Sequence, residues 1–123
     1  MRVLVCGSRG YDNWNHVFAE LDELNGKLKF TTVIHGAAPG VDTLAGKWAR
    51  RNNITEEVYP AKWKELGKAA GPIRNKQMLD EGHPQLVVAF LTTTSKGTAN
   101  MLKQSKKEGI DAYVIDIWFY KGV

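Results

Sequence analysis

The ten residues VIHGAAPGVD, 33–42, run from two β-branched apolar residues through a turn with two glycines and a proline to an aspartate that opens a helical pattern. Such a stretch is typical of a strand that ends, turns and enters a helix. Two interpretations of its glycines stay open. Either the reversal itself needs glycine for a positive φ, or the turn presents backbone N–H groups at a helix N-terminus, where an anion binds.

The same change from a short apolar strand to a longer amphipathic helix recurs along the whole chain. The strands are predicted at 2–7, 31–36, 56–61, 86–91 and 112–117, and the helices at 15–28, 42–53, 73–82 and 97–108. Continuous apolar strands indicate a sheet covered on both faces, which is typical of parallel strands joined by helices. We therefore predict an α/β fold, a Rossmann-like three-layer sandwich whose five-stranded, mostly parallel sheet has the order 3-2-1-4-5.

Length and composition fit one globular domain over residues 1–123, since 43% of the residues are hydrophobic and 24% are charged. The formal net charge of +4 favours anionic partners, but the basic residues are scattered and give little support to a DNA-binding surface. The single cysteine, Cys6, cannot form an internal disulfide, and no signal peptide precedes the first strand, so we expect a cytoplasmic protein. The longest apolar run, 86–91, is too short to span a membrane. No spacing of histidine, cysteine and aspartate indicates a metal site, and no cofactor is predicted.

Three turns follow the first, second and fourth predicted strands, CGSRGY at 6–11, HGAAPGVD at 35–42 and TTTSKGTANM at 92–101. A fourth segment, GKAAGPIRNKQML at 67–79, is predicted as a glycine-rich loop that leads into a helix. In a parallel sheet these turns meet at the edge where ligands bind. The candidate ligand-binding residues on the four segments are Gly7, Ser8, Arg9, Gly36, Gly40, Asp42, Arg74, Asn75, Ser95, Gly97 and Thr98.

Each candidate has a chemical reason and a plainer alternative. The Arg9 guanidinium suits bidentate contact with phosphate, and a helix N-terminus near Thr98 presents N–H groups to an anion. The alternatives are ordinary turn glycines, a helix cap by Asp42 and a Ser/Thr cap of the last helix. Three such turns at one edge favour an anion site. Trp63 lies in a segment that we expect to form a loop over the crevice.

Together, the segments CGSRGY, HGAAPGVDTLAGKWA, GPIRNKQML and GTANM resemble the SLOG superfamily, which is named after the DNA-processing protein Smf/DprA and the cytokinin-activating "lonely guy" proteins. The resemblance is closest to its small stand-alone YspA-like branch and covers residues 2–117. It implies a Rossmann-like nucleotide-binding domain whose glycine loops hold phosphate or ribose.

The resemblance also locates two departures from the lonely-guy hydrolases. The hydrolases carry an RKxxM signature, and the matching residues 74–78 of this chain read RNKQM. Arg74 and Met78 are the same, and Asn75 stands in place of the lysine. Of their PGGxGTxxE loop, Gly97 and Thr98 remain. The PGG positions read Thr93, Thr94 and Ser95, and the variable position is Lys96, a cation able to contact phosphate. The position of their catalytic glutamate is Met101, and a thioether cannot transfer a proton.

The leading prediction is a domain that binds a nucleotide or a nucleotide-derived phosphorylated ribose, either ADP-ribose-like or a nucleoside phosphate. The first alternative is an N-glycosidase or phosphoribohydrolase in which Asp42 or another carboxylate replaces the missing glutamate, and its candidate catalytic residues are Asp42 and Arg74. The second is single-stranded DNA binding, as the likeness to DprA implies. Four tryptophans and the apolar run IWFY at 117–120 predict a homodimer or larger assembly, and the resemblance implies the same.

Overall fold

The structure, a computed structural model, describes residues 1–92 and 95–117. Within them lie the strands β1 (Arg2–Gly7), β2 (Thr32–His35), β3 (Thr55–Val58), β4 (Leu86–Leu91) and β5 (Asp111–Asp116). The helices are α1 (Trp14–Leu28), α2 (Val41–Arg51), α3 (Trp63–Leu66), α4 (Ala70–Gly82) and α5 (Lys96–Lys107), with a 3₁₀ turn over Gly67–Ala69 between α3 and α4.

The five strands form one sheet in the order β3-β2-β1-β4-β5, which confirms the predicted order. All four pairings are parallel, and Val3 of the central strand β1 lies between Val33 of β2 and Leu86 of β4. Because parallel neighbours need crossover connections, a helix follows each of β1, β2, β3 and β4. The fold is therefore the predicted α/β Rossmann-like sandwich.

The apolar runs of the sequence are explained by a core on each side of the sheet. Alternate side chains of β1 point to opposite faces, so Val3 and Val5 pack with α1 and α2, while Leu4 and Cys6 pack with α4 and α5. Met101 of α5 is fully buried in this second core. The residue at the hydrolases' glutamate position is thus a core side chain in this protein.

The segment between β3 and α4 differs from the prediction. β3 begins one residue earlier than expected and ends at Val58, and the segment around Trp63 and Gly67, expected to form a loop, is helical from Trp63 onward. α4 begins at Ala70, so Gly71 and Pro72 lie in its first turn. Proline is tolerated there because the first N–H groups of a helix have no intrahelical partner. Trp63 accordingly stands on the short helix α3 rather than on a loop.

Three further sequence predictions concern self-association, membrane spanning and metal binding. The run IWFY extends beyond Ile117 into residues outside the described part of the chain, Trp118, Phe119 and Tyr120, so the predicted self-association stays a prediction. Among the helices of residues 1–92 and 95–117, none combines the length and apolar character that a bilayer crossing demands. The same residues contain no group of three or more acidic, histidine or cysteine side chains placed to hold a metal ion.

Trp48 supplies a direct test of the packing. It is 1% exposed, it lies edge-on to Phe30, and its indole N–H donates to Asp22 Oδ1 at 2.8 Å. Trp48→Ala removes this packing and leaves a cavity, so we expect the free energy of unfolding to fall by about 3–5 kcal/mol.

The matched control is Trp14→Ala, because Trp14 is 52% exposed. We expect it to cost about 1 kcal/mol or less. Urea unfolding followed by far-ultraviolet circular dichroism measures both variants, and equal losses would contradict the assignment of Trp48 to the core.

Candidate functional site

A cavity of about 730 Å³ opens at the carboxyl edge of the sheet, beyond the ends of β1 and β4. Its lining brings together residues from all four segments that the sequence singled out. The predicted ligand-binding residues among them are Gly7, Ser8, Arg9, Asp42, Arg74, Asn75, Ser95, Lys96, Gly97 and Thr98. Gly36 and Gly40 are not among the described lining residues, whereas Lys68 and Asn100 are, and sequence reasoning missed both.

The floor of the cavity is formed where the turn after β1 crosses the turn before α2. A Cβ atom at Gly7 would lie 2.7 Å from Val41 Cγ2, and one at Gly40 would lie 2.4 Å from the Ser8 carbonyl oxygen. Gly40 also has a φ of 79°, which favours glycine. The Val41 N–H donates to the Ser8 carbonyl at 3.4 Å. Both glycines are required by close backbone contact.

The loop after β2 uses its N–H groups internally. Asp42 Oδ2 accepts hydrogen bonds from the N–H of Gly36 at 3.0 Å and of Ala38 at 3.3 Å, and His35 Nδ1 accepts from Ala37 at 3.0 Å. Asp42 lies inside α2, whose N-cap is Gly40, so its carboxylate binds the loop rather than capping the helix. The N–H of Gly36, which the sequence suggested as a ligand contact, is therefore already paired with a carboxylate of the chain.

Arg74 reaches from α4 across the cavity to this loop. Its Nη1 donates to the Gly36 carbonyl, and its Nε donates to Asn75 Oδ1 at 3.1 Å. A Cβ atom at Gly36 would lie 2.1 Å from Arg74 Nη1, so glycine at that position makes room for the guanidinium. Nη2 of Arg74 takes part in none of the hydrogen bonds within the described residues and belongs to a side chain that lines the cavity.

Asn75 is 4% exposed and joins α4 to the beginning of α5. Its Nδ2 donates to the Gly97 carbonyl at 3.2 Å and to Asn100 Oδ1 at 3.1 Å, while its Oδ1 accepts from Arg74. We expected this side chain to reach a ligand. A ligand contact stays a prediction, but within the chain both ends of the Asn75 amide are engaged, so it fixes Arg74 and the N-terminus of α5 relative to each other.

Burial changes the acidity of two charged groups in the lining. Desolvation raises the pKa of Asp42, and the N–H bonds from Ala38 and Gly36 and the charges of His35 and Arg74 offset part of that rise. Desolvation lowers the pKa of Arg74, opposed by the charge of Asp42. Cys6 is buried at the cavity floor, and desolvation raises the pKa of its thiol far above its ordinary value. It is a packing residue rather than a nucleophile.

A second layer of polar contacts supports the loop that holds Asp42. His35 Nε2 lies 2.5 Å from Glu56 Oε2, and Arg50 donates to Glu56 Oε1 at 2.6 Å. Gly46 allows this approach, since a Cβ atom there would lie 2.3 Å from Glu56 Oε2. Partial burial acts to raise the pKa of Glu56, but the hydrogen bonds from His35 and Arg50 lower it overall.

The raised pKa of Asp42 gives a pH-dependent test. A carboxyl whose pKa is higher in the folded chain than in the unfolded chain contributes stability below the unfolded pKa and loses it as pH rises through the folded pKa. Asn cannot ionise. We therefore expect the unfolding free energy of Asp42→Asn, minus that of the wild type, to become more positive as pH rises above the ordinary value of 3.8.

Urea unfolding at several pH values measures this difference, in which the opposite contribution of Glu56 cancels because both chains carry it. Asp111→Asn, at an exposed position of β5, is the matched control. A difference for Asp42→Asn that stays constant with pH would contradict the raised pKa.

Three comparisons with known proteins agree with this architecture. A family model described as "YspA, cpYpsA-related SLOG family" matches residues 1–66. The Gene 61 protein of Mycobacterium phage D29 is 36% identical over 115 residues, which cover 89% of this chain and 91% of that protein. The crystal structure of DNA processing protein A (DprA) from Streptococcus pneumoniae shares the fold, with a TM-score of 0.71, 21% identity and coverage of 92% of this chain but 49% of DprA. This chain therefore spans about half of DprA, and it belongs to the YspA, cpYpsA-related SLOG family.

Proposed function

We propose that the cavity binds a nucleotide or a related phosphorylated ribose, such as a nucleoside phosphate or an ADP-ribose-like molecule. The observation that carries the proposal is the charge of the lining. Four basic side chains, Arg9, Lys68, Arg74 and Lys96, face one acidic side chain, Asp42, among the described lining residues. A volume of about 730 Å³ lies within the range typical of small-molecule sites. The edge of the sheet that it occupies is where parallel α/β folds bind their ligands.

The phosphate position that we propose is the N-terminus of α5. Ser95 is the N-cap but makes no side-chain cap bond, because its hydroxyl is engaged with Thr92. The Ser95 side chain therefore leaves the N–H groups of Lys96, Gly97 and Thr98 uncapped. These groups form the positive end of the helix dipole and are available to an anion. Lys96 adds a charge beside them, and, apart from the neighbouring residues and backbone of α5 itself, no atom of the described residues lies within 4 Å of where a Cβ of Gly97 would be. Nη2 of Arg74 is a further donor.

The sugar position that we propose is Asp42. Its Oδ2 is held by the loop, whereas Oδ1 takes part in none of the hydrogen bonds within the described residues. A carboxylate oxygen at the cavity wall accepts hydrogen bonds from ribose hydroxyls. Asn75 supports this arrangement by holding Arg74 and α5 in place.

Lys96→Ala tests the phosphate position. If phosphate binds at the start of α5, the variant should bind adenosine 5′-monophosphate (AMP) more weakly by about 1.5–3 kcal/mol, the range for a hydrogen bond to a charged group. Binding of adenosine should barely change. Isothermal titration calorimetry measures both ligands.

Lys103→Ala is the matched control, because Lys103 is exposed on the same helix and does not line the cavity. Unchanged affinity for AMP in Lys96→Ala would place phosphate elsewhere. If the wild-type chain binds no nucleotide or sugar phosphate in a thermal-shift screen, the proposed function is wrong.

A second candidate function, N-glycosidase or phosphoribohydrolase activity on nucleoside monophosphates, is favoured by one observation. Asp42 is a buried carboxyl at the cavity wall with a raised pKa, which suits a group that holds or transfers a proton. Because Met101 is a core residue, the chemistry would fall to Asp42, with Arg74 beside it to hold the phosphate or the leaving group.

This candidate predicts that the wild-type chain releases free base from a nucleoside monophosphate. Asp42→Asn should abolish release while leaving binding of the same nucleotide largely intact, because the amide retains an acceptor oxygen but cannot serve as acid or base. Chromatographic detection of free base measures release. If the wild-type chain binds the nucleotide but releases no base, the cavity binds without hydrolysis.

Single-stranded DNA is a weaker proposal. The likeness to DprA supports the fold alone. The basic residues outside the cavity are scattered along the sequence and are not spaced to form one continuous surface. Binding through phosphates along a strand would fall steeply with salt concentration, which distinguishes it from a small ligand held in a cavity.

A further inference from the structure

Trp63 is an aromatic side chain at the cavity wall that the proposed function does not use. It stands at the first position of the short helix α3 and is 46% exposed. Its ring lies against α4, since a Cβ atom at Gly71 would be 3.3 Å from Trp63 Cη2. Trp48, by contrast, is buried and its indole N–H is paired. An indole that packs against a helix along one edge and is otherwise exposed to a cavity is suited to stacking on a planar ring.

One face of this indole is covered by the Arg9 guanidinium, whose central carbon lies 5.1 Å from the ring centroid. Arg9 is exposed on the turn after β1 and takes part in none of the side-chain hydrogen bonds or salt bridges recorded for the described residues. A planar guanidinium on an indole occupies the place that a nucleobase would take. Because stacked ring centroids themselves lie about 4.5–7 Å apart, no ring fits between Arg9 and Trp63 while they are in contact.

We propose that Trp63 is the base-binding residue of the cavity and that an incoming nucleobase displaces Arg9 from it. The released guanidinium then turns to the phosphate of the same ligand. This inference rests on the proposed function and narrows it, since the ligand must carry a planar base and not only a phosphorylated ribose. Base–aromatic stacking is stronger than an exposed cation–π contact, so the displacement is favourable.

The positions along α4 agree with such a ligand. The Trp63 ring contacts α4 at Gly71, and Asn75, four residues later, binds the Gly97 carbonyl at the start of α5. Four residues of helix rise about 6 Å. The Trp63 indole and the Gly97 carbonyl are thus contacted from positions about one helical turn apart along α4, so both lie on the side of α4 that lines the cavity.

Calorimetric titration of AMP, adenosine and ribose 5-phosphate into variants at both positions tests the inference. In Trp63→Ala, we expect AMP and adenosine to bind about tenfold to hundredfold more weakly, while ribose 5-phosphate binds as it does to the wild type. Trp63→Phe should restore most of the loss because it keeps an aromatic face. Trp14→Ala is the matched control, as the indole of Trp14 is equally exposed but does not line the cavity.

Arg9→Ala gives an effect of opposite sign on two ligands. AMP should bind more weakly because a phosphate contact is lost, whereas adenosine should bind about twofold to fivefold more tightly because no cation–π contact has to be broken. Weaker binding of adenosine to Arg9→Ala would show that Arg9 stays on the base and would overturn the displacement.

The outcomes separate this inference from the function beneath it. If the wild type binds AMP and ribose 5-phosphate equally well and Trp63→Ala alters neither, the base site is refuted while the phosphate cavity stands. If the wild type binds none of the three ligands, the proposed function falls and the base site with it. Circular dichroism of each variant confirms that the fold is kept.

Discussion

The contact between two backbone turns at the end of β1 is the constraint on which the site depends. Gly7 lies against Val41 and the Phe90 carbonyl, and Gly40 lies against the carbonyls of Ser8 and Arg9, in each case without space for a Cβ atom. This contact fixes where α2 begins relative to β1 and β4. It therefore fixes Asp42, the second residue of α2, at the cavity wall. A side chain at either glycine would separate the turns and move the floor of the cavity.

The position of Asp42 in turn decides which loop is open to a ligand. Its carboxylate accepts the N–H groups that a phosphate would otherwise attract in a loop of this shape, so the turn after β2 carries its own anion. The space left by the missing side chain of Gly36 is filled by Arg74, which Asn75 links to the start of α5. One continuous set of hydrogen bonds thus runs from the closed loop to the helix N-terminus that remains open.

The strands and their order could be predicted because their pattern has a single physical cause. Residues Val3 to Cys6 are apolar without alternation since both faces of β1 are covered, and that pattern is typical of parallel strands joined by helices. The segment containing Gly71 and Pro72 was predicted as a loop because glycine and proline are typical of turns, but both residues lie in the first turn of α4, where a proline loses no intrahelical hydrogen bond.

The sequence indicated where a cavity lies better than it indicated how the residues around it are hydrogen-bonded. Glycines at strand ends point to the edge of the sheet where the cavity opens. Whether their N–H groups are free depends on where Asp42 lies in space, which the spacing of the residues alone does not give. Lys68 was missed because its place at the cavity depends on the unexpected helical segment. The pair His35 and Glu56 was missed because it depends on the β2–β3 register, in which Glu56 lies opposite Val33.

Met101 stands at the position that matches the glutamate of the lonely-guy hydrolases, and its burial agrees with the apolar packing around it. A carboxylate at that point of α5 would have to lie in the apolar core beside Leu4 and Ala89, where an unpaired charge is costly. The chain thus keeps the acidic side chain of its cavity at Asp42, and that carboxylate has half of its hydrogen-bonding capacity engaged by the loop. A carboxylate held in this way stays fixed when a ligand arrives, and its raised pKa follows from the same burial that positions it. Rigid placement is what the proposed ribose contact requires, and a raised pKa is what the alternative proposal of hydrolysis requires. The two N–H bonds and burial act on that pKa in opposite directions, since desolvation raises it and the bonds from Ala38 and Gly36 offset part of the rise.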